Sequence, residues 1–321
     1  MADKKSKLQP QNRDWYEDLP SPTTALKAGD SNDQPDPGLD VRYVDANVLE
    51  LSRAESIERG LFLMACIAVS IVYAVMLLPL FVKLYSDAFL EFPVTSSFLM
   101  VMQFALPVLL IHGIKKTIRT PLDLPILLDR NSQKIFALEY RMKPNPFARW
   151  ETVIKEFEWS RVEAEIGTLP YKPAPYGLIL AQCERGTTKV EDRIILKQVL
   201  GGTAELHQMW AYIRCYMNEG PEHLPEVKPF PRDANFWRCL FAFFPFLDPT
   251  EGGRRARARM GRCELHVSMA FASVVMLALA WYFVPIGICE YIAQRLAPKP
   301  KWPDDVLNPT GLRSSVPASL G

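Results

Sequence analysis

Three stretches of this chain, residues 60–82, 92–114 and 265–289, contain no Asp, Glu, Lys or Arg. About 20 apolar residues in helical form cross the roughly 30 Å hydrocarbon core of a bilayer, so each stretch reads as a membrane-spanning helix. No other feature constrains the fold as much. It argues against an ordinary water-soluble globular chain, although the bulk composition hides this: 49% hydrophobic residues, with 37 basic side chains against 36 acidic ones. That charge balance supplies no broad positive field for a phosphate backbone, and nucleic acid is not an expected partner.

The link between the first two runs is nine residues, 83–91, which predicts an antiparallel helical hairpin over 60–115. Pro79 and Pro107 fall inside it, as membrane helices tolerate. His112 lies within a turn of Lys115 and Lys116 and is placed at the membrane boundary. Residues 1–43 are rich in Pro, Asp, Ser and Gly and are expected to form a disordered cytosolic leader. Val48, Leu51 and Ile57 among charges predict a short lead-in helix over 44–59. The first apolar run begins far along the chain and lacks an Ala-x-Ala site, so it is not read as a signal peptide.

Residues 116–230 change character. Residues 126–129 and 134–140, separated by the polar Arg130-Asn131-Ser132-Gln133, have the composition of a β-hairpin. Another strand is expected from Trp150. Residues 157–166 alternate through Phe157, Trp159, Val162 and Ile166, with one slip that suggests a bulge. Residues 178–183 and 193–199 make two more strands, and the three prolines of 169–176 make a loop. Thr203 then reads as a helix N-cap, with Glu205 in the first turn. Leu206, Met209, Trp210, Ile213, Tyr216 and Met217 form one apolar face, and Gly220-Pro221 ends the helix. A meander closed by one amphipathic helix is the order of a pleckstrin-homology-like domain. The expected fold class is therefore three transmembrane helices with such an antiparallel β domain, cytosolic, inserted at 116–230.

Residues 231–264 are expected to form an aromatic interfacial segment followed by an Arg-rich anchor. Within 234–247, six of fourteen residues are Phe or Trp, and such rings favour the headgroup boundary. Phe236, Trp237, Phe241, Phe243 and Phe244 are assigned to that boundary, together with Arg254, Arg255, Arg257, Arg259 and Arg262, five arginines in nine residues. A third span, 265–290, would then carry the tail 291–321 across. Lys115, Lys116 and Arg119 after the second run and the arginines before the third place the intervening domain in the cytoplasm by the positive-inside rule. The predicted location is the bacterial inner membrane, in a multi-pass arrangement.

The six cysteines show no CxxC and the four histidines no HxxxH, so neither disulfide nor metal chemistry is expected. Gly201-Gly202 and Gly252-Gly253 lack the Lys-Ser/Thr of a phosphate loop. Glu163 and Glu165 fall on one face of a strand, where a solvated pair is more economical than an acid–base pair. No cofactor and no enzymatic activity are expected.

The hairpin ILLDRNSQKIF (126–136), the pair Arg149-Trp150 and the exit APKPKWP (297–303) recur together with this layout. In these features, over about residues 55–305, the chain resembles an uncharacterised family of proteobacterial membrane proteins often encoded beside type VI secretion effectors. The resemblance implies an immunity or accessory protein that acts by binding, with membrane lipid and a toxin or secretion-system protein as partners. The alternative is a membrane-anchored lipid-sensing or scaffolding protein of the envelope.

Overall fold

The computed structural model describes residues 6–26, 30, 33–38, 40–53, 59–88, 93–143, 145, 147, 148, 150–168, 175–199, 202–225, 234–258, 262–299 and 301–310. Two antiparallel sheets dominate one half. The first has the order β1 (Trp15–Asp18), β7 (Val162–Thr168), β8 (Tyr176–Cys183), β9 (Val190–Val199). The second runs β2 (Val41–Val44), β3 (Val48–Leu51), β4 (Ile126–Asp129), β5 (Lys134–Arg141), β6 (Glu151–Glu158). In helical conformation are α1 (Arg59–Val72), a π-helical turn at Tyr73–Leu77, α2 (Leu78–Ala88), α3 (Pro93–Arg119), α4 (Ala204–Asn218), α5 (Phe236–Leu240), α6 (Glu251–Ala258), α7 (Arg262–Ala278), α8 (Ala280–Leu296) and α9 (Asp304–Thr310).

The β4–β5 hairpin shows how local chemistry sets register. Asp129 Oδ1 accepts from the Asn131 amide at 3.0 Å and Oδ2 from the Ser132 hydroxyl at 2.6 Å, while Gln133 adopts a positive φ of 52°. That turn fixes Asp129 opposite Lys134 and Leu128 opposite Ile135. Period-2 alternation then sends Ile135 and Ala137 inward. Where an unbroken 157–166 strand with a bulge is expected, one 3-10 turn at Trp159–Arg161 passes the chain from one sheet to the other. Trp159 and Val162 thereby remain in a shared core with Ile166, Leu180 and Leu128.

Helix α4 closes this core. Thr203 occupies its N-cap position without a side-chain bond; its carbonyl instead accepts from the Leu206 and His207 amides at 2.9 and 3.1 Å. Gly220, at φ 99°, follows the C-terminus, and a Cβ there would meet the Arg130 guanidinium at 2.7 Å. Trp210 lies 5.6 Å from Trp159, ring to ring, and its Nε1 donates to the Pro20 carbonyl at 2.8 Å. The helix is buried well beyond its apolar stripe, because Pro20, Pro22, Thr24 and Asp33 contact its back.

That cover corrects the leader expected to be disordered. β1 extends the first sheet through β7, Leu8 and Leu19 are buried, and Arg214 Nη1 donates to the Thr24 carbonyl at 2.8 Å and Nη2 to Asp33 Oδ1 at 2.6 Å. Asn218 Nδ2 donates to the Pro22 carbonyl at 2.7 Å. Backbone pairing and buried hydrogen bonds offset the ordering entropy that the few apolar residues alone do not. The lead-in helix over 44–59 is corrected as well. Asp45 Oδ1 accepts from the amides of Asn47 and Val48, both at 2.7 Å, and turns the chain into the β2–β3 hairpin. Residues 54–58 of that expected helix lie outside the described residues.

Three transmembrane helices with an inserted β domain is the expectation that the structure overturns. Among the described residues a single helix, Arg59–Lys83, is long and apolar enough to cross a membrane. The third run is split into α7 and α8, which meet at 93° around Leu279. Phe283 on α8 is held by Phe243 and Phe244, with ring centroids at 5.4 and 5.5 Å. The contacts that accompany the break are thus tertiary ones. Nor is the β unit an insertion, since β1, β2 and β3 precede α1. Finally, the described part of the tail, up to residue 310, returns to the second sheet. Trp302 Nε1 donates to Glu50 Oε1 at 3.1 Å, and Val306 joins Val48 and Leu127 on the outer face of the second sheet.

Candidate membrane interface

The helices invert the burial pattern of the sheets. Val75 on the first helical segment is 68% exposed, Leu109 on α3 67% and Leu277 on α7 79%. Arg59, Thr117 and Glu290, by contrast, are buried. Arg59, at the start of α1, is buried; Nη1 donates to the Thr120 carbonyl and Nη2 to the Pro121 carbonyl, both at 2.6 Å. A cation placed at those carbonyls complements the C-terminal end of α3. Glu290 on α8, also buried, accepts the Gly60 amide at 2.5 Å through Oε2 and Gln294 Nε2 at 2.8 Å through Oε1. Its carboxylate sits at the N-terminus of α1, where amides lack helical partners. Gly60 is required there: a Cβ would lie 2.4 Å from the Ile286 carbonyl oxygen. Helices α1 and α8 consequently meet backbone to backbone, as small residues permit in helical membrane packing.

The match of a family model to residues 103–311 decides the affiliation. The chain belongs to DUF6708, a family of unknown function. No curated protein and no solved structure matches it. The DUF6708 segment starts within α3 and extends past α9, so α1, α2 and β1–β3 precede it. Pairing of β3 with β4, and Glu290 with Gly60, joins those leading elements to the family segment.

Within the DUF6708 segment, the aromatic residues expected at a membrane boundary largely pack on α8. Asn235 accepts from the Trp237 and Arg238 amides at 3.0 and 3.3 Å and so starts α5. Phe236 meets Tyr291 at 5.6 Å, and Phe243 and Phe244 meet Phe283. Gly287 lets Leu240 approach; a Cβ would lie 2.7 Å from its Cα. Trp237 stacks with Phe241 at 6.3 Å and stays half exposed. The arginines likewise divide. Arg257 Nη1 donates to the carbonyls of Phe246 and Asp248, each at 2.8 Å, and completes the turn before α6. Gly253 belongs to the same turn, since a Cβ would lie 1.8 Å from the Asp248 oxygen. Arg254 and Arg255 pair with Glu251 at 2.5 and 3.4 Å. Arg259 lies outside the described residues, as does the side chain of Arg262.

Other polar groups are engaged in structure. Glu163 pairs with Lys7 at 2.7 Å, and Glu165, wholly buried, accepts from Arg193 Nε at 2.9 Å. Burial outweighs Arg193 and raises the Glu165 carboxyl above its ordinary value. Burial first, then the Glu219 carboxylate, pushes the Cys215 thiol up to about 11, and burial pushes Cys239 up to about 11. Both stay protonated at neutral pH, where a thiolate nucleophile is scarce. A cleft of about 330 Å³ lies between residues 23–26 and α4, lined by Arg214 and Cys215.

One contact lies outside the sequence-based expectations. Lys115 Nζ donates to the Ala148 carbonyl at 2.7 Å and stands 4.7 Å over the Trp150 ring. His112 meets the same ring at 5.6 Å. The end of α3 is thereby tied to the β5–β6 loop. A basic helix end followed at a distance by the aromatic pair Phe147 and Trp150 was the available signal.

Proposed function

We propose that this DUF6708 protein is a membrane-anchored binding protein that serves as an immunity or accessory factor for a toxin delivered by a type VI-like secretion system. The observation that carries the membrane part is the inside-out helical layer: apolar side chains outside, Arg59 and Glu290 inside. Exposed apolar surface on this scale is unfavourable in water and suits lipid, whereas polar groups inside lipid are kept in the bundle interior. Every segment that leaves the β unit returns to it, α3 after α1 and α2, and α9 after α7 and α8. In this reading the β unit stands at one membrane face. Lys116 and Arg119, exposed at the β-unit end of α3, support the cytosolic face of a bacterial inner membrane.

The binding part rests on the two-sheet unit and on the family resemblance of the hairpin and exit segments. Strand β6 ends its sheet and pairs on one side only, with β5, among the described residues. An extended partner segment can add to such an edge, and inhibition by binding needs only roughly 800 Å² per partner. The proline-rich loop over 169–176 is a further candidate contact, and its residues 169–174 lie outside the described residues. Expression of the adjacent effector gene in a sensitive strain, with and without this protein, tests the reading. Protection with co-purification supports it. Equal killing without co-purification overturns it, and salt-sensitive binding to anionic vesicles would then favour a lipid-sensing scaffold.

A further inference from the structure

The β5–β6 loop carries two large apolar side chains that stay exposed among the described residues. Phe147 is 77% exposed and Met142 49% exposed. Asn145 shapes the tip: its Oδ1 accepts from the Phe147 amide at 2.8 Å and its carbonyl from the Ala148 amide at 3.2 Å, a turn that presents Phe147 outward. On either side of Met142 stand Arg141 and Lys143, both exposed.

The height of this loop along the helical layer is set. Lys115 bonds Ala148 and covers Trp150, and His112 and Tyr140 meet the Trp150 ring at 5.6 and 6.0 Å. On α3 that level is a boundary. Val108, Leu109 and Ile111 before it are exposed and apolar; Lys116 and Arg119 after it are exposed and basic. At 1.5 Å rise per residue, the change from Ile111 to Lys116 takes about 7–8 Å, comparable to the depth of an interfacial layer. The loop's apolar tip therefore lies level with the end of the apolar surface. Its exposed cations Arg141 and Lys143 are of the same sign as those of α3, and Lys143 pairs with Glu151 at 3.2 Å.

We propose that the β5–β6 loop is a membrane-interface anchor. Phe147 and Met142 enter the headgroup–acyl boundary of an anionic leaflet, while Lys116, Arg119, Arg141 and Lys143 face lipid phosphate. This arrangement uses the pairing of aromatic wedge and basic rim that favours anionic interfaces. It also holds the β unit at a fixed tilt, because Trp150 links the wedge rigidly to α3. The inference rests on the membrane placement proposed above and deepens it.

The test uses the full chain reconstituted into vesicles of phosphatidylcholine with or without phosphatidylglycerol. A genetically encoded environment-sensitive fluorophore replaces Phe147, or Met142 in a second variant that keeps the test available if the first does not fold. A third variant carries it at Val75. Lipids bearing a spin label near the headgroup or deep in the acyl chain serve as quenchers. Loss of fluorescence at 147 or 142 with the shallow label, larger when phosphatidylglycerol is present, is the expected result. Quenching at 75 but at neither loop position overturns the loop anchor and leaves the membrane placement standing. No quenching at any position overturns both. A loop fluorophore that ignores lipid and responds only to added effector protein would also overturn it, assigning the tip to a protein partner.

Discussion

The β unit and the helical layer use the same amino acids in opposite senses. In the β unit, Trp210, Ile213, Phe157 and Ile166 are buried, and the outer side chains are charged and paired across strands, as Lys155 with Asp192 at 2.7 Å. In the helical layer, Val75 and Leu277 face outward while Arg59, Thr117 and Glu290 are enclosed. Water as solvent explains the first arrangement; the second is the one expected of helices in lipid, as proposed above. The energetics differ accordingly. The β unit gains from removing apolar area from water, whereas the helices, if surrounded by hydrocarbon, gain from close packing and from satisfied polar groups.

The largest test of this contrast is Trp210→Ala. The indole fills the space between α4 and both sheets and bonds Pro20. Its loss is expected to destabilise the β unit by about 3–5 kcal/mol, read as a lower denaturant midpoint in detergent-solubilised protein. A change within the scatter of surface substitutions would break the assignment of the core. Next is Gly60→Val, which forces apart α1 and α8 where their backbones touch. Overpacking of this kind costs about 1–3 kcal/mol, and the detergent-solubilised protein should melt at a lower temperature. Gly202→Ala, at a position with nothing within 4 Å of an added Cβ, is the control and should not move it. An unshifted melt for Gly60→Val would show that the helices are not rooted through this contact.

Smallest is a pH effect in the first sheet. Burial raises the Glu165 carboxyl above 4.5, and Arg193 opposes the shift. For a carboxyl whose folded value is elevated, the stabilising contribution of the protonated form is complete below the unfolded value. It is lost as pH rises through the folded value. Glu165→Gln keeps the shape and stays neutral. Its denaturation midpoint should therefore fall less than that of the unchanged chain between about pH 4 and pH 7. Parallel pH profiles would show that Glu165 does not contribute.

Particular elements show what was legible. Alternation in 134–140 and 157–166, the polar turn at 130–133 and the three-and-four spacing of 206–217 are local signals, and β5, the strands flanking Trp159, and α4 follow from them. The strands β1, β2 and β3 and the loop segment at 20–26 were not legible. These strands exist because β7 and β4 offer edges, and the covering loop because Arg214 and Trp210 offer donors. Composition registers apolar content and is blind to such partners. The aromatic segment misled for a related reason. Rings suited to a headgroup boundary are equally suited to another aromatic helix, and Tyr291 and Phe283 were there to meet them.

By itself, the sequence determined where charge is missing, which segments alternate and which helix carries an apolar stripe, since these depend on residues close together in the chain. Only the tertiary structure decided that the third apolar run breaks at Leu279, that Trp302 and α9 return to the sheet over Glu50 and Val48, and that Gly60 and Glu290 join two helices 230 residues apart. Each of those depends on a partner distant in sequence. A hydropathy pattern reports whether a segment prefers to leave water, and carries no record of which surface it meets when it does.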